Sequence, residues 1–426
     1  MLGVARPVEA VPASAPRLGD MTSAAAGRWL DVARAAGLVG ADGVVRPTVF
    51  AEMSALAEST GAINLGQGFP DVDGPAHVAE AAIEAIRAGR NQYPPGPGVP
   101  ELREAVAAHQ ERHYGLRLDP VTEVLVTAGA TEALAAAVLA LAGPGDEVLT
   151  LEPYYDSYAA VIAMAGATHV TVGLRAEPDG FRLDPDELAA AFGPRTRLVL
   201  LNSPHNPTGT VLEPAELELV ARLAREHDAV VVTDEVYEHL TFDGARHVPV
   251  ATLPGMRERT LTISSAGKTL SFTGWKIGWV TGPAGLVAAV RTVKQYLTYV
   301  SGAPFQPAVA HALADPDGRT AAYVRELATS LARRRDLLCT GLVAAGFDVV
   351  VPRGTYFVVA DGAARWGEDG VETCRRLAHE VGVVAVPVSA FCRTGSPTAE
   401  ALRPRVRFTF VKRDDVLVEA VRRLGG

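Results

Sequence analysis

Residues 261–280 read LTISSAGKTLSFTGWKIGWV, and the interpretation of the whole chain turns on them. An apolar run ends in small residues around a single lysine, Lys268. Its neighbours Ser264, Ser265, Ala266, Gly267 and Thr269 leave it uncrowded and offer hydroxyls to an anion. A second cation, Lys276, follows eight residues later. A lysine held just after a buried strand gives up its proton more readily, because desolvation and nearby positive charge both penalise an ammonium. Such a lysine suits condensation with a carbonyl; a surface-loop lysine beside a Ser/Thr turn is the competing reading of these residues alone.

Upstream, residues 229–233, AVVVT, read as a buried strand that delivers Asp234 and Glu235 at its end, with Tyr237 just beyond. Residues 197–201, RLVLL, read as another and run into NSPHNPTG, which holds Asn206. Open parallel sheets bind ligands at the carboxyl ends of their strands, so Asn206, Asp234, Tyr237 and Lys268 are expected to share a cleft. The strand at 123–127, EVLVT, passes through AGATE into the helical run ALAAAVLAL. A strand, a small-residue turn and a helix start leave backbone N–H groups free for an anion, which places a phosphate against Ala130 and Thr131. The strand at 146–151 ends in EPYYDSY, where Tyr155 offers a flat face to a planar ring. Strands alternating with helices through this region indicate a mostly parallel, covered sheet.

The succession SPHNPTG, TDEVYEHL and SSAGKTLSFTGWKIGW resembles the fold-type I, class I pyridoxal-phosphate (PLP) aminotransferases. Within them it is most similar to the branch of kynurenine, glutamine and methionine aminotransferases and actinobacterial N-succinyldiaminopimelate aminotransferases, over about residues 46–424. The resemblance implies an α/β fold: a large PLP-binding domain with a mostly parallel seven-stranded sheet between helices, and a smaller α+β domain. It implies PLP on Lys268, Asp234 at the pyridine nitrogen, and Asn206 and Tyr237 at the ring oxygen. Tyr155 would stack on the ring, and Ala130, Thr131, Ser265 and Lys276 would hold the phosphate. Tyr93, in the Pro/Gly-rich loop NQYPPGPG, would reach the phosphate of a second subunit in a homodimer with shared sites, a locally bonded loop tyrosine being the alternative. Arg407 would bind the substrate carboxylate in a bidentate pair, near Gly68 of INLGQGFPD and Phe50. A plain turn at Gly68 and a helix-anchoring role for Phe50 remain open. Many members carry arginine at the Lys276 position; lysine keeps the charge without the planar fork.

The implied reaction is transamination between an L-amino acid with a neutral or amide-bearing side chain and a 2-oxo acid such as 2-oxoglutarate. Dicarboxylate-specific members use a second arginine that has no match here, and N-succinyl-L,L-diaminopimelate is among the candidate donors. Two alternatives stand beside it: a PLP-dependent elimination or replacement enzyme, and a non-catalytic protein that keeps the fold. Hydride transfer is disfavoured because no GxGxxG follows the strand at 123–127.

The 426 residues carry a net charge of -9, which argues against nucleic acid as a partner. Apolar residues make up 48% and charged residues 21%, a globular composition. No apolar run approaches the roughly 20 residues of a membrane span. Cys339, Cys374 and Cys392 are widely spaced, so neither a disulfide framework nor a metal site is expected, and the cytoplasm is the expected compartment. The expected divisions are a disordered leader at 1–21, an N-terminal arm and part of the small domain at 22–75, the large domain at 76–318, and the C-terminal small domain at 319–426.

Overall fold

A computed structural model of the chain describes residues 27–40 and 42–425, so the expected leader lies outside the described residues. In chain order the strands are β1 (Ile63–Asn64), β2 (Val124–Ala128), β3 (Glu147–Glu152), β4 (Thr168–Glu177), β5 (Gly180–Leu183), β6 (Thr196–Asn202) and β7 (Val230–Asp234). They continue as β8 (Thr260–Ser265), β9 (Ile277–Thr281), β10 (Asp348–Val350), β11 (Phe357–Asp361), β12 (Val383–Val384), β13 (Val386–Pro387) and β14 (Arg405–Thr409).

The large sheet runs β2-β9-β8-β7-β6-β3-β4-β5. Its central pairs β8·β7, β7·β6, β6·β3 and β3·β4 are parallel, and β9 lies antiparallel between β2 and β8. Seven strands were expected and there are eight. β4 runs the ten residues Thr168–Glu177 and folds back through Pro178 and Asp179 into β5, so an antiparallel hairpin extends the edge. β9 was not legible in the sequence because its pattern, IGWVT, is short and buried throughout, which removes the alternation that marks a half-exposed strand.

The helices that cover this sheet start and stop where local chemistry dictates. The Gly129–Leu141 helix packs its alanine-rich faces on the sheet, where Ala133, Ala136 and Ala137 allow close approach and are fully buried. Pro214–Glu226 opens with a capping box between Glu213 and Glu216 and with proline in its first turn. The helix expected over 285–299 ends at Lys294, and a helix at Phe305–Ala314 adds a layer against Pro100–Tyr114.

A second, antiparallel sheet has the order β10-β11-β14-β13. β1, near the start of the described chain, pairs in parallel with β12, more than three hundred residues later. The core beneath it accordingly mixes Met53, Ala57 and Leu65 with Leu338, Phe408 and Leu417. The alternation expected in β14 holds: Val406 and Phe408 enter that core, while Arg405 and Arg407 lie on the other face.

Candidate active site

At the carboxyl ends of β6, β7 and β8 lies a cavity of about 200 Å³ lined by Asn206, Asp234, Tyr237, Ser265, Lys268 and Lys276, with Ala130, Thr131 and Tyr155 also on its wall. The chain reaches it the same way each time: a buried apolar strand stops, and the first polar residue at its end turns inward. Asp234 closes β7, Ser265 closes β8, and Lys268 sits in the short Ala266–Thr269 turn of helix that follows.

One end of the cavity is built for an anion. The Gly129–Leu141 helix begins there with no side chain capping its first turn. β9 presses against that turn through Gly278, where a Cβ would lie 2.6 Å from the Gly129 carbonyl carbon and 2.8 Å from the Ala130 nitrogen. Lys276 adopts a left-handed backbone (φ 54) that turns its ammonium to within 3.4 Å of the Thr131 hydroxyl. Its pKa is lowered by burial and then by the charge of Lys268. Among the described residues no carboxylate ion-pairs with Lys276.

Deeper in, the Tyr158 hydroxyl donates a 2.7 Å hydrogen bond to Asp234 Oδ2. Burial pushes the Asp234 carboxyl up to about 6, against the lowering effects of Tyr158, the Val236 N–H and Lys268. A buried carboxylate beneath a cavity, with no cation in contact, matches a ligand that brings a protonated ring nitrogen. Tyr155 meets Tyr158 edge-on with ring centroids 5.8 Å apart, and burial pushes its phenol up to about 12, so it stays neutral. Lys268 Nζ lies between two tyrosine rings, 5.8 Å from the Tyr237 centroid and 5.9 Å from that of Tyr356.

Behind the cavity-lining Asn206, and off the wall itself, lies Arg407, only 1% exposed. Its guanidinium donates to Asn206 Oδ1 and to the Gly66 carbonyl, both at 2.9 Å, and its Nε is buried without a partner. It lies 3.9 Å from the Phe357 ring centroid, 4.6 Å from Phe391 and 5.5 Å from Phe50. Burial lowers its pKa to about 10. Among the described residues no carboxylate ion-pairs with it, so this fully buried cation is left for an anionic ligand.

The structure therefore brings together Lys268, Asp234, Asn206, Tyr237, Tyr155, Ala130, Thr131, Ser265 and Lys276. Phe50 stands against Arg407 and Phe391. Gly68 is off the cavity wall: a Cβ there would lie 2.4 Å from Phe357 Cζ, and its carbonyl accepts from the Tyr356 hydroxyl at 2.7 Å. Gly66, two residues earlier, is the glycine in contact with Arg407. Tyr93 is 81% exposed and touches Tyr299 edge-on, away from its own chain's cavity.

Several participants carried no usable signal in the sequence. Asn202 spans the site floor, donating to the Pro204 and Asp234 carbonyls and accepting from the Asn206 N–H. Its place as the last residue of β6 is shared with many strand-end residues that line no site. Tyr356, Phe357 and Phe391 come from segments whose apolar pattern says only that they are buried. Tyr158, expected as packing or support, holds Asp234 directly.

Residues 60–424 match the family model for aminotransferase class I and II. The chain is 58% identical over 381 residues to a probable N-succinyldiaminopimelate aminotransferase of Mycobacterium tuberculosis, covering 88% of this chain and 95% of that one. It is 42% identical over 378 residues to the methionine aminotransferase of Escherichia coli, with coverage of 88% and 95%. The solved N-succinyldiaminopimelate aminotransferase of M. tuberculosis superposes with a TM-score of 0.84 over 89% of this chain and 96% of that one, at 58% identity. The chain belongs to the class I and II aminotransferases. It is a PLP-dependent enzyme that transfers an amino group between an amino acid and a 2-oxo acid.

Proposed function

We propose that this enzyme transaminates N-succinyl-L,L-diaminopimelate or a donor of similar length, with 2-oxoglutarate as acceptor, in a homodimer with shared sites. The observation that carries the chemistry is the pairing of an anion-ready helix start on the cavity wall with a buried arginine that is held by the cavity-lining Asn206 and has no carboxylate partner among the described residues. Bound PLP supplies an electron sink for the pair left when the substrate's α-proton departs. Asp234 holds a proton at the ring nitrogen, which keeps that sink strong, and Tyr158 keeps Asp234 in place. Tyr155 covers one ring face. Ala130, Thr131, Ser265 and Lys276 hold the phosphate. Arg407 fixes the α-carboxylate and so orients the Cα–H bond toward Lys268. Lys268 Nζ, between the rings of Tyr237 and Tyr356, would hold the cofactor's aldehyde carbon and, once released, would take the proton from the substrate α-carbon. Asn206 joins both ends: its Oδ1 holds Arg407, which leaves its amide N–H groups for the ring oxygen.

The donor proposal rests on a second cavity of about 410 Å³ lined by Val49, Glu52, Asp156, Ala390 and Cys392 and by the cations Arg34, Arg46 and Arg393, of which Arg34 pairs with Asp31 and Arg46 with Asp42. Arg393, with no carboxylate partner among the described residues, and Arg46, by exchanging Asp42 for the ligand, suit a carboxylate several bonds from the reacting carbon, which a succinyl group carries and methionine lacks. Initial rates with N-succinyl-L,L-diaminopimelate, methionine, glutamine and kynurenine, reading glutamate and free ammonia, test it. The expected result is glutamate formation with kcat/KM highest for the succinylated donor, and a loss in Arg46→Ala and Arg393→Ala confined to that donor. Equal losses with methionine would remove the distal subsite, and ammonia without glutamate would favour elimination.

The dimer is supported by exposed aromatic surface at Tyr93, Tyr296 and Tyr299. The loop carrying Tyr93 is held from its own chain, with Lys294 Nζ donating to the Gly96 and Tyr299 carbonyls. In the dimer Tyr93 reaches the phosphate of the other subunit. Mixed Lys268→Ala and Tyr93→Phe chains then regain activity that neither has alone; a fully active monomer overturns this. No helix among the described residues is long and apolar enough to cross a membrane. Three buried free thiols fit the reducing cytoplasm, where we place the enzyme.

A further inference from the structure

His109 and His113 stand one turn apart on the Pro100–Tyr114 helix, in the sequence HQERH, and so share a helix face. His239, two residues beyond Tyr237 in the turn after β7, meets the same face. The three imidazoles form a triangle, with ring centroids 4.5 Å apart for 109 and 113, 5.0 Å for 109 and 239, and 4.9 Å for 113 and 239. One nitrogen from each lies within 4.8 Å of the others. His109 and His239 approach most closely, Nε2 to Nε2 at 2.8 Å, and His109 Nδ1 is buried with no hydrogen-bond partner.

From this cluster we infer that His109, His113 and His239 form a site for one divalent transition ion of the zinc class. Nitrogens around a tetrahedral zinc at about 2.0–2.1 Å stand roughly 3.3 Å apart. The observed separations bracket that value, so a small opening of the 109/239 pair and a rotation of exposed His113 complete the set. The charge balance agrees. Glu238, buried beside the cluster, has its carboxylate oxygens held by the Ser264 and Tyr114 hydroxyls at 2.6 Å, and Oε2 lies 3.9 Å from His239 Nε2. Among the described residues no lysine or arginine ion-pairs with Glu238, and a dication beside His239 would add to the charge that the histidines bring to this carboxylate. Imidazole donors select zinc, nickel or copper over magnesium or calcium. The fourth position faces the exposed His113 side and is left to water.

None of the three histidines lines the catalytic cavity, so the ion's effect is on stability: it pins a surface helix to the segment that follows Asp234. This departs from the sequence expectation of no metal site, which rested on cysteine spacing alone.

The test uses PLP-loaded, chelator-treated enzyme titrated with zinc chloride in phosphate-free buffer by calorimetry, with thermal unfolding in parallel. One zinc per chain and a raised Tm are expected, with no comparable response to magnesium. His113→Ala, exposed and therefore safe for folding, is expected to weaken binding at least tenfold and to abolish the Tm rise. His113→Cys, which restores a ligand, recovers both. His77→Ala, at the separate His77/His311 contact, changes neither. Absence of saturable binding near one per chain, or binding undiminished in His113→Ala, overturns the proposal.

Discussion

The wall of the cavity that carries Asp234, Ser265, Lys268 and Lys276 is made of strand ends from one sheet and their immediate sequels, all within residues 234–276. The surroundings of Arg407, behind the cavity-lining Asn206, are assembled from residues 50, 66, 206, 357, 391 and 407, drawn from the smaller sheet, a helix and connections far apart in the chain. In the first, backbone direction alone aims each polar group, because a parallel sheet sends every strand's end to the same edge. In the second, a cation is stripped of water by three aromatic rings that happen to meet in space. The cofactor side is therefore determined locally and the substrate side globally, and the two sides should fail differently.

The largest break is expected from Lys268→Ala. It removes the proton carrier and should lower turnover by at least about 10⁴-fold, while the Arg407 side still binds the amino donor, seen as a ligand-induced rise in Tm. Loss of that response would show that the sides are not separable. Arg407→Lys keeps charge but loses the fork that grips Asn206 and Gly66. Roughly a 100-fold fall in kcat/KM, mostly in KM, is expected, with cofactor content unchanged; a loss of cofactor would again join the two sides.

Asp234 gives a pH test. Its folded carboxyl is raised to about 6 from an ordinary 3.8, so in cofactor-free protein its contribution to stability is fully present below pH 4 and is lost as pH rises through 6. Asp234→Asn cannot titrate there. Between pH 5 and 7.5 the wild type should lose about 1.4 kcal/mol relative to the variant in urea unfolding; a pH-independent difference would refute the buried-carboxylate reading. The smallest effect is at Gly278, where alanine would press on the Gly129–Ala130 turn. Overpacking of about 1–3 kcal/mol should appear as roughly tenfold weaker PLP retention, by dialysis and absorbance, with the KM for the amino donor unaffected.

The sequence by itself determined the mostly parallel sheet and marked Lys268, Asp234, Ala130 and Thr131, which the fold brings to one cavity. Each of these is a local matter: an apolar run of strand length, a polar residue where it stops, and small residues where a backbone must approach a ligand. β9 and the β4–β5 hairpin were hidden because a fully buried strand does not alternate, and because an edge extension depends on what it pairs with. Only the tertiary structure decided that Gly66 rather than Gly68 meets Arg407, that Phe357 stacks on its guanidinium, and that Tyr158 holds Asp234. It also decided that His239 lies 2.8 Å from His109, 130 residues away in the chain. Contacts at such separations are set by how the two sheets and the helices on them pack, and side-chain identity along a strand or helix records burial without recording the neighbour.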